Sequence, residues 1–546
     1  MIPNLLLQAT EWNPQLFREI RGRLKQRNLV LTGGLSLLAQ GIILLYFWMV
    51  LPTSETKYSR YFAGSDPYSY SQNQVLDALG NPVINWQLWW FDMFQVLSWL
   101  LPFTMLIAGV YMLIDDLAKE ERRGTLNFIR LSPQSSQNIL VGKLLGVPIV
   151  PAIAVALAVP LHGLAAMQSG VSAGEVVSIY LLAAATCVFF YTGAVFYAFL
   201  GGAHSWLGAI IVSLCYLMFF QIYQATHHYS TDPYGYLGLG LWFYIPIGSS
   251  LPMAVGFALV CLGVGTFWLW KSINRRFRNP NLTLVSKKHS YLITLCFEVM
   301  MFGFVFREVT YSYYRPTEDL GILSVFNMLW FTVMIAALTP HRQTLLDWAR
   351  YRRETQTGQT RWMKQIWNRS LIKDLAWGEK SPAMLAIAIN LMIPVVLFTP
   401  WIISWVGNTY YNQAGTIYVL RAIAGLGLLT LFLLVAAALA QLLLFMKTKR
   451  RNIFAVTIIG ALTIIPPLFL AVLSSYAYSY SESVKVFWFF TAFGFLPLLA
   501  EGAAFTTVCF TFLTHLGALM VLTNRMTYLL RKAGESEFKA LTASRA

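Results

Sequence analysis

Charge is what this 546-residue chain has least of. Asp, Glu, Lys and Arg make up 12% of it against 57% hydrophobic residues, and the acids number only 24. No long polar stretch separates the apolar runs, which leaves no room for a large soluble domain. Cysteine is scarce too. Cys187, Cys215, Cys261, Cys296 and Cys509 all fall within or beside apolar runs, with no CxxC spacing. That pattern argues against a disulfide frame or a metal site and for small hydrophobes in helices. A GxxxxGK[ST] stretch is missing, and Gly142-Lys143 lacks the glycine loop a phosphate cradle needs. The first apolar run is too long for a signal-peptide core and has no small-residue cleavage site after it. It reads as an uncleaved first span.

What is present belongs in a bilayer. Mean hydropathy is +0.57, and apolar runs occupy approximately 29–51, 93–115, 138–168, 174–200, 206–226, 250–270, 290–310, 320–340, 384–406, 415–446, 453–473 and 503–524. Each is long enough for the ~30 Å hydrocarbon core, which takes about 20 helical residues. With the N-terminus placed in the cytoplasm, the inner segments are 1–28, 116–143, 201–205, 271–289, 341–383, 447–452 and 525–546. They hold 34 of the 40 Lys and Arg residues but 11 of the 24 acids. That is the positive-inside rule, and it accounts for the net charge of +16 without nucleic acid as a partner. Residues 484–499 read as a re-entrant half-helix on the outer face, which keeps the basic C-terminal segment inside. The expectation is an all-α, polytopic integral protein of the inner or plasma membrane, with about 12 spans and both termini cytoplasmic.

The order of elements repeats. Units 1–275 and 276–546 each read as a basic segment, two spans, a charged inner segment, three spans, an outer apolar patch and one more span. Asn13-Pro14 recurs as Asn279-Pro280, and Ser132-Pro133 as Ser381-Pro382. Ser at N-cap and Pro at N1 would start the third span of each half. The first outer patch is "YLGLGLWFYIPIG", Tyr236 to Gly248. In the leading segment, Leu16, Ile20 and Leu24 share a face with Phe17 beside them, and basic residues take the rest, as in a helix lying in the inner interface.

The segment between spans two and three reads "EERRGTLNFIRLSPQSSQNILVGKLL". Gly124 breaks the second span. Leu126, Phe128 and Ile129 offer a short apolar face, and Glu120, Glu121, Arg122 and Arg123 a solvated polar one. Such a helix can insert into a groove on a partner or rest on lipid headgroups. The stretch resembles the permease subunits of ATP-binding-cassette exporters of the second exporter class. There an acidic-basic cluster and Gly-Thr-Leu follow the second span, then a Pro, then Gly-Lys. The matching positions are Glu120, Glu121, Arg122, Gly124, Thr125 and Leu126, then Pro133, then Gly142 and Lys143. The family's Thr-Pro stands here as Ser132-Pro133. In the second half "KDLAWGEKSPAMLAI" takes the equivalent place with Trp377, Gly378, Glu379 and Pro382 but without Thr-Leu. The resemblance implies a non-enzymatic transport subunit that binds no cofactor itself. ATP and Mg would sit on a separate ATPase, in two copies docked on the cytoplasmic face, and an unidentified substrate would be exported.

Two other classes have residues to speak for them. An ion-coupled transporter needs ionisable side chains within spans, and Glu298, Arg421 and Glu501 are the candidates for a substrate path. A membrane-embedded lipid- or glycan-transfer enzyme would want paired carboxylates. Asp66 and Asp77 in the first outer loop and Asp115-Asp116 at the inner end of span two have no such spacing. His162, His204 and His227-His228 do not form a metal set, and "NWQLWWFD" at 85–92 reads as an interfacial aromatic belt.

Overall fold

In hydrocarbon every backbone N–H and C=O must find its partner within the chain, which leaves the helix as the economical spanning form for apolar runs like these. The computed structural model describes residues 12–52, 59–64, 75, 83–202, 204–229, 240–306, 316–354, 369–407, 415–448, 451–476, 486–500 and 504–543. Among these the regular elements are helices, and the only pairings of β type are the isolated bridges Phe62–Ile84 and Trp242–Ile245. Ten of the helices are long and apolar enough to cross a membrane. The protein is an all-α, polytopic membrane protein. Asp66, Asp77 and Glu501 lie outside the described residues, as do the side chains of His227 and His228.

The chain divides into two compact units, Met1–Gly240 with Pro246–Arg278, and Leu241–Ile245 with Asn279–Ala546. The first unit runs α1 (Pro14–Arg23), α2 (Gln26–Met49), α3 (Trp86–Arg123), α4 (Thr125–Arg130), α5 (Ser136–Gly146), α6 (Ile149–Ser169), α7 (Ala173–Phe199), α8 (Ser205–Tyr229) and α9 (Leu251–Arg278). At its centre α3 packs against α6, α7 and α8, while α2 lies on α6, α7 on α9 and α1 on α5. Met93, Leu97, Leu106, Leu113 and Ile114 form the fully buried stripe of α3. With 38 residues α3 is about 57 Å long at 1.5 Å per residue, far more than the core requires. Its C-terminal turns, with Asp116 and Glu120, therefore stand beyond the hydrocarbon.

The second unit runs α10 (Lys287–Val305), α11 (Pro316–Leu338), α12 (Arg342–Glu354), α13 (Arg369–Trp377), α14 (Met384–Ile403), α15 (Gly415–Leu444), α16 (Arg451–Tyr476), α17 (Phe495–Ala500) and α18 (Phe505–Ala543). Here α15 is central, against α11, α14, α16, α17 and α18. Its small residues Gly425, Ala436, Ala437 and Ala440 are buried, the usual means of close helix approach in a bilayer. Three pairings recur in chain order: α2 on α6, α3 on α7 and α7 on α9 in the first unit, then α10 on α14, α11 on α15 and α15 on α18 in the second. Residues 486–500 are two short helical pieces about a turn at 489–494, too short to span.

Several sequence expectations change. The run 138–168 is two helices broken at Val147-Pro148, since proline has no N–H for the helix ladder. Ser132-Pro133 does not start that run: Ser135 caps α5 through Asn138 N, while Ser132 Oγ donates to Ile129 O. Ser381-Pro382 does not cap α14 either, whose N-cap is Ala383. The recurring Asn-Pro pairs differ in structure: Asn13 caps α1, accepting from Leu16 N with Pro14 at N1, whereas Asn279-Pro280 opens only a turn. The outer patch assigned to the first half contributes Leu241–Ile245 to the second unit. Trp242 Nε1 donates to Met300 O, and Phe243 N donates to Gly303 O, which pins this tip to α10.

Candidate functional site

The charged segment after α3 becomes a short helix because Gly124 turns the chain. Its φ is 73°, left-handed, where a side chain would cost about 1–2 kcal/mol. Past it, α4 has six residues. Leu126 and Ile129 are buried at 4% and 8% exposure, while Phe128 and Leu131 are 80% and 84% exposed. At 3.6 residues per turn, positions 126 and 129 share a face and 128 lies nearly opposite. The single apolar face expected of Leu126, Phe128 and Ile129 is therefore two faces. One fastens the helix to its own unit, and the other is free. Glu121, Arg122, Arg123, Thr125 and Pro133 are exposed around it.

Glu120 is not part of a solvated face, contrary to the sequence expectation. It closes a charge cluster around Lys143, whose side chain is 1% exposed. The Lys143 ammonium lies 2.8 Å from Asp116, 2.8 Å from Glu120 and 3.5 Å from Glu19. Arg23 pairs with Asp116 at 2.7 Å and with Glu19 at 3.3 Å, and Arg18 pairs with Glu120 at 3.2 Å. Burial pulls the Lys143 amine down, but the three carboxylates outweigh it and hold the pKa above the ordinary lysine value. Oxygens of the three acids lie within 4.8 Å of one another, a spacing a metal ion could use, and the ammonium forms ion pairs with all three.

Glycine makes the cluster possible. A Cβ on Gly142 would sit 2.8 Å from Leu16 N, and one on Gly146 2.6 Å from Glu19 Cβ. Gly142 thus lets α1 lie against α5, and Lys143 enters the space between α1 and the end of α3. On the other side Arg130 stacks 5.5 Å over Phe277, and Arg278 Nε donates to Ser136 Oγ at 3.0 Å. So α4 and α5 are tied to α1, α3 and α9.

The second charged segment is held by different chemistry. Lys287 Nζ donates to Leu375 O at 2.7 Å, Ser381 Oγ at 2.7 Å and Pro382 O at 3.0 Å. Burial brings its pKa down to about 8, with Asp374 opposing. Ser381 Oγ donates to Asp374 O and Gly378 O, and Tyr291 OH to Ala376 O. Pro382 is buried, whereas Trp377 is 47% exposed beside Tyr291. Gly378 N donates to Asp374 O, and Glu379 is half-buried. Residues 355–368 of this segment lie outside the described residues.

The substrate-path candidates do not converge. Glu298 is fully buried inside the second unit, and Arg421 stacks over Tyr418 on α15. Asp115 pairs with Lys119. His162 is held by Ser98 and Tyr180 hydroxyls and stacked on Phe94. Sequence reasoning missed Glu19 and the role of Lys143. The available signal was an acid placed among five basic residues in the first 28. No family model, curated protein or solved structure matches this chain.

Proposed function

We propose that the chain is the membrane-spanning permease subunit of an ATP-binding-cassette exporter. In this reading two six-span units lie in the inner or plasma membrane, both termini are cytoplasmic, and substrate crosses by alternating access. Separate ATPase chains carry ATP and Mg and dock on the basic, cytoplasmic side. The observation that carries the reading is α4. It is a short helix, fastened from behind by Leu126, Ile129 and the Lys143 cluster, that presents Phe128 and Leu131 outward beside Arg122 and Arg123. Apolar anchors ringed by charge on a rigid support are what a partner's groove grips. The segment around Trp377 offers a weaker second contact, with one exposed aromatic on a buried frame. Force applied at α4 would pass through the cluster to α1 and α3 and through Arg130 and Arg278 to α9.

The test is recovery of the chain from its native host in mild detergent. An ATPase bearing a Walker motif should come with it. Phe128→Asp with Leu131→Asp should abolish that association and leave the thermal midpoint of the purified chain unchanged. Leu126→Asp should lower the midpoint instead, because it puts a charge into a buried site. Repeated recovery of the chain alone, or an association indifferent to Phe128 and Leu131, would sink the reading.

A further inference from the structure

An ionisable side chain buried among apolar helices is costly unless it is neutralised, so one that is kept there calls for a physical account. Glu298 lies near the middle of α10 at 0% exposure. Thr294 and Ser290, one and two turns before it on the same face, are also at 0%. Each of the three accepts a hydrogen bond from a neighbouring helix. Asn390 Nδ2 donates to Ser290 Oγ at 2.8 Å, Trp330 Nε1 to Thr294 Oγ1 at 3.3 Å, and Asn327 Nδ2 to Glu298 Oε2 at 3.2 Å.

The arrangement is rich in acceptors and short of donors. Asn327 Nδ2 also donates to Leu323 O at 3.1 Å, so its hydrogens are spent. Glu298 Oε1 and Asn327 Oδ1 then have no hydrogen-bond partner among the described residues, and neither does Asn390 Oδ1. Among the described residues no cation answers them either. α14 has no ionisable residue, and the acids of α11, Glu318 and Asp319, lie in its first turn, two turns before Asn327. Lys287 and Lys288 lie about three turns before Glu298, and Lys287 is committed to the 375–382 segment. From α13, Lys373 and Asp374 sit at that same end of α10, with Asp374 bonded to Trp348 Nε1.

A bare carboxylate in such surroundings is prohibitively costly, whereas a neutral group made of carboxylate plus one positive charge is not. We propose that Glu298 and Asn327 form an exchangeable monovalent-cation site inside the second unit, resting as the carboxylic acid. Its proton leaves to water as solvent reaches the site, or gives way to a sodium ion as COOH + Na⁺ → COO⁻·Na⁺ + H⁺, an exchange that keeps the buried group neutral. Both unpartnered oxygens suit such a hard cation. α2, the first helix of spanning length in the first unit, carries no acid.

Infrared difference spectroscopy on the full-length chain in lipid nanodiscs tests this without nucleotide or ATPase, so its failure is separate from failure of the exporter reading. At neutral pH in choline buffer the wild type should show a protonated-carboxyl band that Glu298→Gln lacks. Raising the pH should remove the band, which identifies a proton site. Removal by sodium at fixed pH, together with a sodium-dependent rise in thermal midpoint absent from Glu298→Gln, identifies sodium as the competitor. Glu298→Asp, which keeps the carboxyl on a shorter stem, should show a displaced band with the same response. A band that stays unchanged across the pH range of the folded protein and in sodium would overturn the proposal. So would the absence of any band attributable to Glu298 combined with no effect of sodium.

Discussion

At the scale of the residue, the two buried lysines show how one side chain adapts to opposite surroundings. Lys143 meets three carboxylates and holds its proton more tightly than a free lysine; Lys287 meets two carbonyls and a hydroxyl and holds it less tightly, with a pKa of about 8. The signs have consequences. An unfolded lysine titrates near 10.4, so between about pH 8 and 10.4 the unfolded chain binds more protons at position 287 than the folded one. Stability contributed by this group must rise with pH over that window and be flat below it. Measured as the difference in denaturation midpoint between wild type and Lys287→Met, the wild type should gain on the variant from pH 8 to 10. The gain should be on the order of 2–3 kcal/mol. A difference that does not change with pH would contradict the burial of a neutral-prone amine. Lys143 is common to both proteins and drops out of the comparison.

At the scale of the element, α1 and α4 show where pattern suffices and where it does not. The basic, periodic stretch after Asn13-Pro14 is legible as a helix, and the structure adds the cap that Asn13 supplies. The break after α3 was legible as well, because only glycine takes the left-handed turn cheaply. The inward and outward faces of α4 were not, since six residues carry too little periodicity to say which side meets the protein. Nor was the partnership of Glu19 with Lys143, which joins residues 124 positions apart through a glycine whose use is only spatial. The cluster binds one element to another, and its removal should act there. Lys143→Met leaves Glu19, Asp116 and Glu120 facing one another without their central cation. A loss of about 3–5 kcal/mol is expected, with hydrogen exchange rising first across Pro14–Arg23. Unchanged exchange in α1 would mean that Gly142 and Gly146 packing alone holds it.

For the whole molecule, apolar run length was enough for the class, because a bilayer enforces it; of the twelve runs, 206–226 and 290–310 are not among the ten helices of the described residues long and apolar enough to span. The breaks inside runs, at Val147-Pro148 and in 486–500, depend on local partners that hydropathy averages over. Three pairings recur between the units, whereas α3 on α6 has only a slight counterpart in α11 on α14. On the proposed exporter reading with one fused permease chain, native mass measurement of the complex should find two ATPase chains per chain of this protein, and a complex of two such chains with two ATPases would refute the fused plan. The Lys143 cluster bears finally on how the molecule is made. Basic residues orient a chain while it is being inserted, and acids contribute little to that decision. Lys143, Arg18 and Arg23 are therefore read as free positive charges during synthesis and cancelled by Glu19, Asp116 and Glu120 once α1 reaches α5. The same three charges serve as signposts before folding and as mortar afterwards, so the finished surface at this end of the first unit is less basic than its sequence.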